Sequence, residues 1–573
     1  MLNLSLDVSP SEREQSAILK TGYSEETQTW EVIARFHGKL DFLEEESVLV
    51  EDLSGGYAIL TVPESHLRTI STLEEIEYIE KPRRLFFEQI EEQRISCISS
   101  LYGESVNLHG SGVLLAVLDS GIDYSHPAFL DDSGMSRILA LWDQSIEGGS
   151  RFSPPDGFYT GAEFTKADID EALRQSDIQA RLQIVPSVDV NGHGTAVAGI
   201  AAGSRTQTNP TYAGVADQSD LLVVKLGTAR EGSYPRTVEL MRGLYYVLQK
   251  SIQLGRPLVI NLSFGHTYGS HQGNSLLEEY LNYISGIWKT VICIGSGNEG
   301  AAGGHYAGTI LDSDLTVELA VGEFENGLNI QIWKHYGDEF LITLITPRGR
   351  RITLPEGLTG TWRYPISDVE LFAYIGEPSP YAQLQEIFLD FIPSETFMES
   401  GIWSIEFKPR RIQYGQFHMY LPSESVLSAG TRFFNASPMR TLTIPSAAFS
   451  PITVGAYNSV FRSYAEFSGR GGESCETIGY VKPELVAPGV NITAPKVGGG
   501  YEAFTGTSFA TPFVSGGAAL LMEWGIVKGN DPYLYGQKVK AYLRRGARQL
   551  PGMETPNPMT GWGALCVADS LPR

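Results

Sequence analysis

Cysteine is scarce in this chain: Cys97, Cys293, Cys475 and Cys566 are its only four in 573 residues, and no two stand at a metal-ligand spacing. Reduced thiols in a cytosolic setting are the expectation, not a disulfide framework. Positive charge is also short, with 43 Lys and Arg against 67 Asp and Glu and a net charge of −24. That excludes a nucleic-acid partner, which needs a basic face; the acidity serves solubility. No run approaches the roughly 18 to 20 apolar residues that span a bilayer, so no membrane partner is expected. The opening "MLNLSLDVSPSEREQ" lacks a basic segment followed by an apolar one. The expectation is therefore no export signal and cytoplasmic synthesis.

What the chain does have is a change of texture along its length. Residues 1–95 are charged and built of short elements, with "GGYAILTVP" reading as a strand and "ESHLRTISTLEEIEYIE" as a helix leading into another strand. From Gly112 onward "GVLLAVLDSG", "SDLLVVKLG", "RPLVINLSFG" and "KTVICIGSGNEG" are near-continuous apolar runs, as expected of strands covered on both faces. Helical patterns such as "GTAVAGIAAG" and "RTVELMRGLYYVLQKSIQLG" alternate with them, which predicts an α/β fold with a doubly wound parallel sheet. Sites in such sheets form at the carboxyl ends of the strands. Between residues 304 and 434 the rhythm becomes one of alternating, aromatic-rich strands with no intervening helix, which predicts an inserted β-sandwich. The α/β texture then resumes over 435–573, with helices expected near 508–524 and 533–546. The expected divisions are 1–95, 96–303, 304–434 and 435–573.

Three stretches could carry chemistry. In "LLAVLDSGIDYSHP", Asp119 stands where a buried strand runs out; the plain alternative is a turn cap. In "VDVNGHGTAVAGIAAG", His193 lies between glycines that admit close backbone approach, at the entry of a small-residue helix. A lone histidine there is more often structural, but the close-packed helix behind it is unusual for a solvated cap. In "GTSFATPFVSGG", Ser508 begins a helix, with Pro512 expected in the first turn. An attacking oxygen at that position gains from the positive helix end. A serine hydroxyl is a weak nucleophile near neutral pH unless a neutral histidine takes its proton and a buried carboxylate orients that histidine. The chain order acid, histidine, serine is that of subtilisin and differs from those of chymotrypsin-like enzymes and α/β-hydrolases.

With "AVLDSGID", "NGHGTAVAGIAAG", "VINLSFG", "IGSGNEG", "KPELVAPG" and "GTSFATP" in that order, the sequence resembles the subtilase family of serine endopeptidases over most of residues 112–300 and 440–566. The resemblance implies a triad of Asp119, His193 and Ser508. It implies an oxyanion hole made by the Asn298 side chain and the Ser508 backbone N–H; taken alone, "GSGNEG" could equally place a turn asparagine. Ser263, Phe264 and Gly265 match the strand edge that pairs with extended substrate, and "REGSY", 230–234, the opposing edge. Gly295, Ser296 and Gly297 match the other wall of the side-chain pocket. The N-terminal region is similar to subtilase propeptides, which act as folding assistants and inhibitors; the implied cleavage junction lies between residues 87 and 100.

Departures from a compact subtilase point to a subgroup. Asp119 and His193 are 74 residues apart and His193 and Ser508 are 315 apart, the excess holding "SRILALWDQSIEGG" and the sandwich. These features, with the propeptide and a jelly-roll-like insert, resemble the Csp-type germination subtilases of Clostridia and their gut relatives. That resemblance implies limited proteolysis of a spore cortex-lytic zymogen, a propeptide that can stay bound as inhibitor, and spore association. The rival readings are a pseudoprotease that regulates by binding, with its propeptide retained in the cleft, and a general peptidase of a gut bacterium. Phe509 stands where the family usually has methionine after its nucleophile. No cofactor is expected, and no ligand set for the family's calcium sites is found; the acidic loop "LDDSG" is better read as a solvated turn.

Overall fold

The computed structural model describes residues 6, 19–40, 43, 47–83, 96–103, 106–149, 151–205, 212–228, 235–366, 369–377, 382–394, 397–472 and 481–572. The chain divides into two compact units, each built from discontinuous segments.

The first unit takes residues 1–84, 266–276 and 299–444. Its N-terminal part is a five-stranded antiparallel sheet whose strand Thr29–Phe36 pairs with Tyr57–Pro63 on one side and with Ile76–Glu80 on the other. The helix Glu64–Ile70 starts directly after Pro63 and turns Leu67 and Ile70 into the same small core as Trp30, Val32 and Leu60. Residues 305–433 form two antiparallel sheets, one of six strands and one of five. Period-two alternation puts Ile330, Ile332, Leu389 and Phe391 of the first sheet against Val317, Leu319, Ile405 and Phe407 of the second, which makes a β-sandwich with an aromatic-rich core.

The second unit takes residues 85–265, 277–298 and 445–573 and carries the nine-stranded sheet. Its strands are β1 (Leu114–Asp119), β2 (Ile138–Asp143), β3 (Ala162–Thr165), β4 (Asp220–Lys225), β5 (Leu258–Leu262), β6 (Thr290–Gly295), β7 (Ile452–Asn458), β8 (Ser463–Tyr464) and β9 (Leu485–Pro488). The order is β8-β7-β6-β5-β1-β4-β2-β3, with β9 also on β7. All pairings are parallel except β2 with β3 and β7 with β8, which close the edges. The order reverses at β1, between β4 and β5, and that switch point is where a doubly wound sheet opens a crevice.

Two helices cross this unit's interior. Helix α1 (His193–Ala202) is buried along its whole length, and α2 (Thr507–Met522) is buried except at Phe513. Their small residues are a packing requirement: a Cβ on Gly516 would stand 2.9 Å from the Ala201 carbonyl oxygen. Among the described residues, one helical stretch, Thr507–Val527, is long and apolar enough to cross a membrane, and most of it is buried in this unit.

Two expectations are corrected here. Cys97 and Cys566 form a disulfide with a Cα–Cα distance of 4.8 Å and 469 residues between them, so they are not reduced thiols. Only the fold brings them together. Cys293 is a buried free thiol. Pro512 lies in the second turn of α2, not the first.

Candidate active site

Each residue singled out in the second unit sits just at or beyond the carboxyl end of a parallel strand, or at a helix start. Asp119 is the last residue of β1, Ser263 to Gly265 follow β5, and Gly295 ends β6 with Ser296 to Asn298 after it. His193 opens α1 and Ser508 is the second residue of α2.

Asp119 and His193 meet directly. His193 Nδ1 and Asp119 Oδ1 are 2.7 Å apart, with neither side chain exposed, and the Ser120 N–H donates to the same carboxylate oxygen at 2.7 Å. A carboxylate on Nδ1 fixes the tautomer with the proton there, which leaves Nε2 as the basic nitrogen. Close approach of the two elements depends on Gly194: a Cβ there would stand 2.2 Å from the Gly121 carbonyl oxygen.

Asp189 locks this junction. Its Oδ1 accepts from Ser120 Oγ at 2.8 Å and from the Gly192 N–H at 2.8 Å, and its Oδ2 accepts from the N–H and hydroxyl of Thr195 at 2.9 and 2.7 Å. Ser120 Oγ in turn accepts from the Gly194 N–H at 2.9 Å. One buried carboxylate thus ties the end of β1 to the first turn of α1. Sequence reading passed over it, although its place four residues before His193 in "VDVNGHGT" was the available signal.

The nucleophile candidate is held differently. Ser508 Oγ donates to the Ser263 carbonyl at 2.8 Å, and Ser263 Oγ donates to the Ser508 carbonyl at 2.9 Å. The second bond has a local cause. In a regular helix the Ser508 carbonyl would accept from the N–H four residues on, but that residue is Pro512, which has none. Ser263 Oγ is itself steered by Asn261, whose Nδ2 donates to it at 2.8 Å while its Oδ1 accepts from Ser515 Oγ at 2.8 Å. The next helical residue, Phe509, is fully buried and packs on the His193 ring at 5.3 Å between centroids.

Asn298 Oδ1 accepts from the Thr507 N–H at 3.0 Å, which assigns the opposite end of the amide as the donor nitrogen. The Ser508 N–H belongs to the first helical turn, whose donors have no acceptor within the helix. These are two donors of the kind that stabilise an oxyanion. Gly295 faces Thr507 and Thr511, since a Cβ on it would stand 3.1 Å from Thr511 Oγ1. The Gly297 N–H donates to Thr507 Oγ1 at 3.1 Å, and the Ser296 hydroxyl lies 3.2 Å from that of Ser468. Ser263, Phe264 and Gly265 are all buried, as are His193 and Ser508. Residues 230–234, and 87–95 of the expected junction, lie outside the described residues. In the "LDDSG" loop, Asp131 Oδ1 accepts from the Ser133 hydroxyl and from the N–H groups of Ser133 and Met135, which is a closed local turn.

A buried carboxylate on a histidine, a serine at a helix start and an amide beside it, at the strand ends of a doubly wound parallel sheet, form the architecture of a subtilisin-like serine protease. The subtilase family model matches residues 110–351 and 414–563, and the Csp protease B prodomain model matches residues 1–83. The chain belongs to the subtilase family. It is similar to the solved CspB protease of Clostridium perfringens, with 34% identity and a TM-score of 0.75 over 83% of this chain and 95% of that one. It is 24% identical over 470 residues to the subtilisin-like protease SBT3.16 of Arabidopsis thaliana, covering 72% of this chain. It is 32% identical over 159 residues to the serine protease AprX of Bacillus subtilis, covering 24% of this chain. The matches span 54% of the Arabidopsis relative and 34% of AprX.

Proposed function

We propose that this chain is a serine endopeptidase made as a self-processing zymogen, with Ser508 as nucleophile, His193 as general base, Asp119 as the orienting acid, and Asn298 with the Ser508 N–H as oxyanion donors. The observation that carries the reading is the 2.7 Å contact between Asp119 and His193, sealed from solvent next to the nucleophile's helix. In the first step the Ser508 hydroxyl turns from the Ser263 carbonyl to His193 Nε2, gives up its proton and attacks the scissile carbonyl. The oxyanion is held by the two N–H donors. Collapse to the acyl-enzyme expels the amine, which takes the proton back from His193, and water then repeats the cycle to release the acid.

The prodomain match over residues 1–83 supports a propeptide that acts as inhibitor, and the likeness to the Clostridium perfringens CspB protease supports limited proteolysis of a spore cortex-lytic zymogen as the task. A fluorophosphonate probe tests the chemistry: the processed protein should be labelled, the Ser508→Ala protein should not, and equal labelling of both would sink the reading.

The second reading, a regulatory binding protein with its propeptide kept in the cleft, is favoured by one observation. The Ser508 hydroxyl's hydrogen bond goes to Ser263 and not to the base. Intact mass separates the two, because an inert triad leaves both the wild-type and the Ser508→Ala chains uncut.

A further inference from the structure

Within the first unit, the outer face of the six-stranded sheet is largely covered, with Asn329, Gln331 and Trp333 buried and Glu386 part-exposed. Strand Leu328–His335 turns Ile330 and Ile332 into the sandwich core, and so presents Asn329, Gln331 and Trp333 on the opposite face. Its neighbour, strand Leu384–Pro393, presents Glu386 beside Trp333 in register, and strand Val369–Ile375 presents Tyr374 on that face. Segment 266–276 covers part of this face: the Gly269 N–H donates to Gln331 Oε1 at 2.8 Å, and Asn329 Nδ2 donates to the Tyr268 hydroxyl at 3.3 Å. The last strand of the prodomain, Ile76–Glu80, and the residues after it border the rest. Between them lies a cavity of about 140 Å³. A volume of roughly 150 Å³ is enough for a benzene-sized guest.

The walls have a definite chemistry. Tyr78, Trp333, Tyr336 and Tyr374 supply aromatic surface, and Glu377 and Glu386 supply carboxylates. Among the described residues neither of these carboxylates has a salt-bridge partner. The cations nearby are committed elsewhere. Lys81 Nζ donates to the Leu19 carbonyl at 2.7 Å and lies over the Trp30 ring, while Arg83 donates to the Tyr268 carbonyl and pairs with Glu80 at 3.7 Å. Trp333 is 7% exposed, and its indole Nε1–H has no acceptor among the described residues. The lining holds three carboxylates, Glu80, Glu377 and Glu386, against two cations, Lys81 and Arg83, so its balance is negative; aromatic faces beside that excess select an organic cation, and a buried indole N–H calls for an acceptor on the same guest.

We propose that this cavity is a binding site for a small alkylammonium ion that carries an oxygen acceptor, of the size of choline. The charged end lies against Glu386 and the tyrosine rings, and the oxygen accepts from Trp333 Nε1. Because the prodomain and the sandwich both line the cavity, an occupant stabilises the state in which the two are together. The site is separate from the Ser508 chemistry and stands whether or not the triad is active.

Calorimetric titration of the purified full-length protein at fixed ionic strength tests this with choline chloride, its uncharged isostere 3,3-dimethylbutan-1-ol, tetramethylammonium chloride and sodium chloride. Choline should bind saturably in the millimolar range or tighter, the neutral isostere at least tenfold more weakly, and sodium chloride not at all. Tetramethylammonium, which lacks the oxygen, should fall between choline and the isostere. Glu386→Gln should weaken choline about tenfold, and Trp333→Phe should bring choline down to the level of tetramethylammonium. Equal affinity for choline and its isostere would overturn the proposal by showing a merely apolar void. So would no saturable binding up to 100 mM, or a choline affinity untouched in a folded Glu386→Gln protein. The wild-type ligand series decides the matter even if a variant fails to fold.

Discussion

Ser263 and Ser508 each donate their hydroxyl hydrogen to the other's backbone carbonyl, at 2.9 and 2.8 Å. The pair joins the strand edge expected to bind substrate to the residue expected to cut it. Pro512 makes the exchange possible by leaving the Ser508 carbonyl without its helical donor.

Ser263→Ala removes the side-chain donor to the Ser508 carbonyl and leaves that carbonyl buried. The expected loss of folding stability is about 1 to 3 kcal/mol, read as a lower urea midpoint. The fluorophosphonate reaction should survive, because the Ser508 hydroxyl keeps its own acceptor, the Ser263 backbone.

Asp119→Asn leaves the shape of the site but no longer fixes the imidazole with its proton on Nδ1. Turnover, measured on a peptide substrate or as the rate of self-processing, should fall by about 10⁴-fold, with an unchanged circular dichroism spectrum. Retention of more than a tenth of the rate would show that Asp119 does not orient the base.

Asn298→Ala acts on two levels. It deletes the candidate oxyanion donor, for an expected loss of about 10²- to 10³-fold in turnover, and it takes the acceptor from the Thr507 N–H, which should also lower the melting temperature. A thermal effect with unaltered turnover would reduce Asn298 to a helix cap.

The first unit should be acid-sensitive. Burial pushes the His271 imidazole down to about 4 and the His305 imidazole down to about 3, the latter also opposed by His271, and His418 falls for the same leading reason with Arg440 adding to it. The unfolded chain takes up those protons below about pH 6.5 while the folded chain does not, so stability present above that pH is lost as it falls. Each such histidine costs about 2 kcal/mol by pH 5. Glu299 works in the opposite direction: burial pushes its carboxyl up to about 7, so between about 4.5 and 7 the folded form binds the extra proton and gains as pH falls. Burial holds the His266 imidazole well below its usual value too, so four losses against one gain predict a lower urea midpoint at pH 5 than at pH 7. Glu299→Gln should make the drop steeper, and a midpoint that rises on acidification would refute this account.

How much of this was readable beforehand depended on whether the cause was local. Strands β1, β4, β5 and β6 announced themselves as apolar runs because both their faces are buried, and the residues meant for chemistry stood at the ends of those runs. The role of Asp189 was not readable, because its four hydrogen bonds reach Ser120, Gly192 and Thr195, which only the packed junction assembles. Nor was the part played by Pro512, whose effect lies in a missing donor satisfied from a different strand. The segment 266–276 reads as a continuation of the α/β texture, yet it belongs to the first unit because its backbone bonds to Gln331 of the sandwich.

The disulfide between Cys97 and Cys566 closes almost the whole catalytic chain into a covalent loop. A single nick anywhere inside that loop leaves both pieces attached. The span expected to hold the processing bond, 87–100, straddles Cys97 itself. A cut on its amino side sets the prodomain free to leave, whereas a cut two residues further on would keep the prodomain on a leash that only a reductant could release.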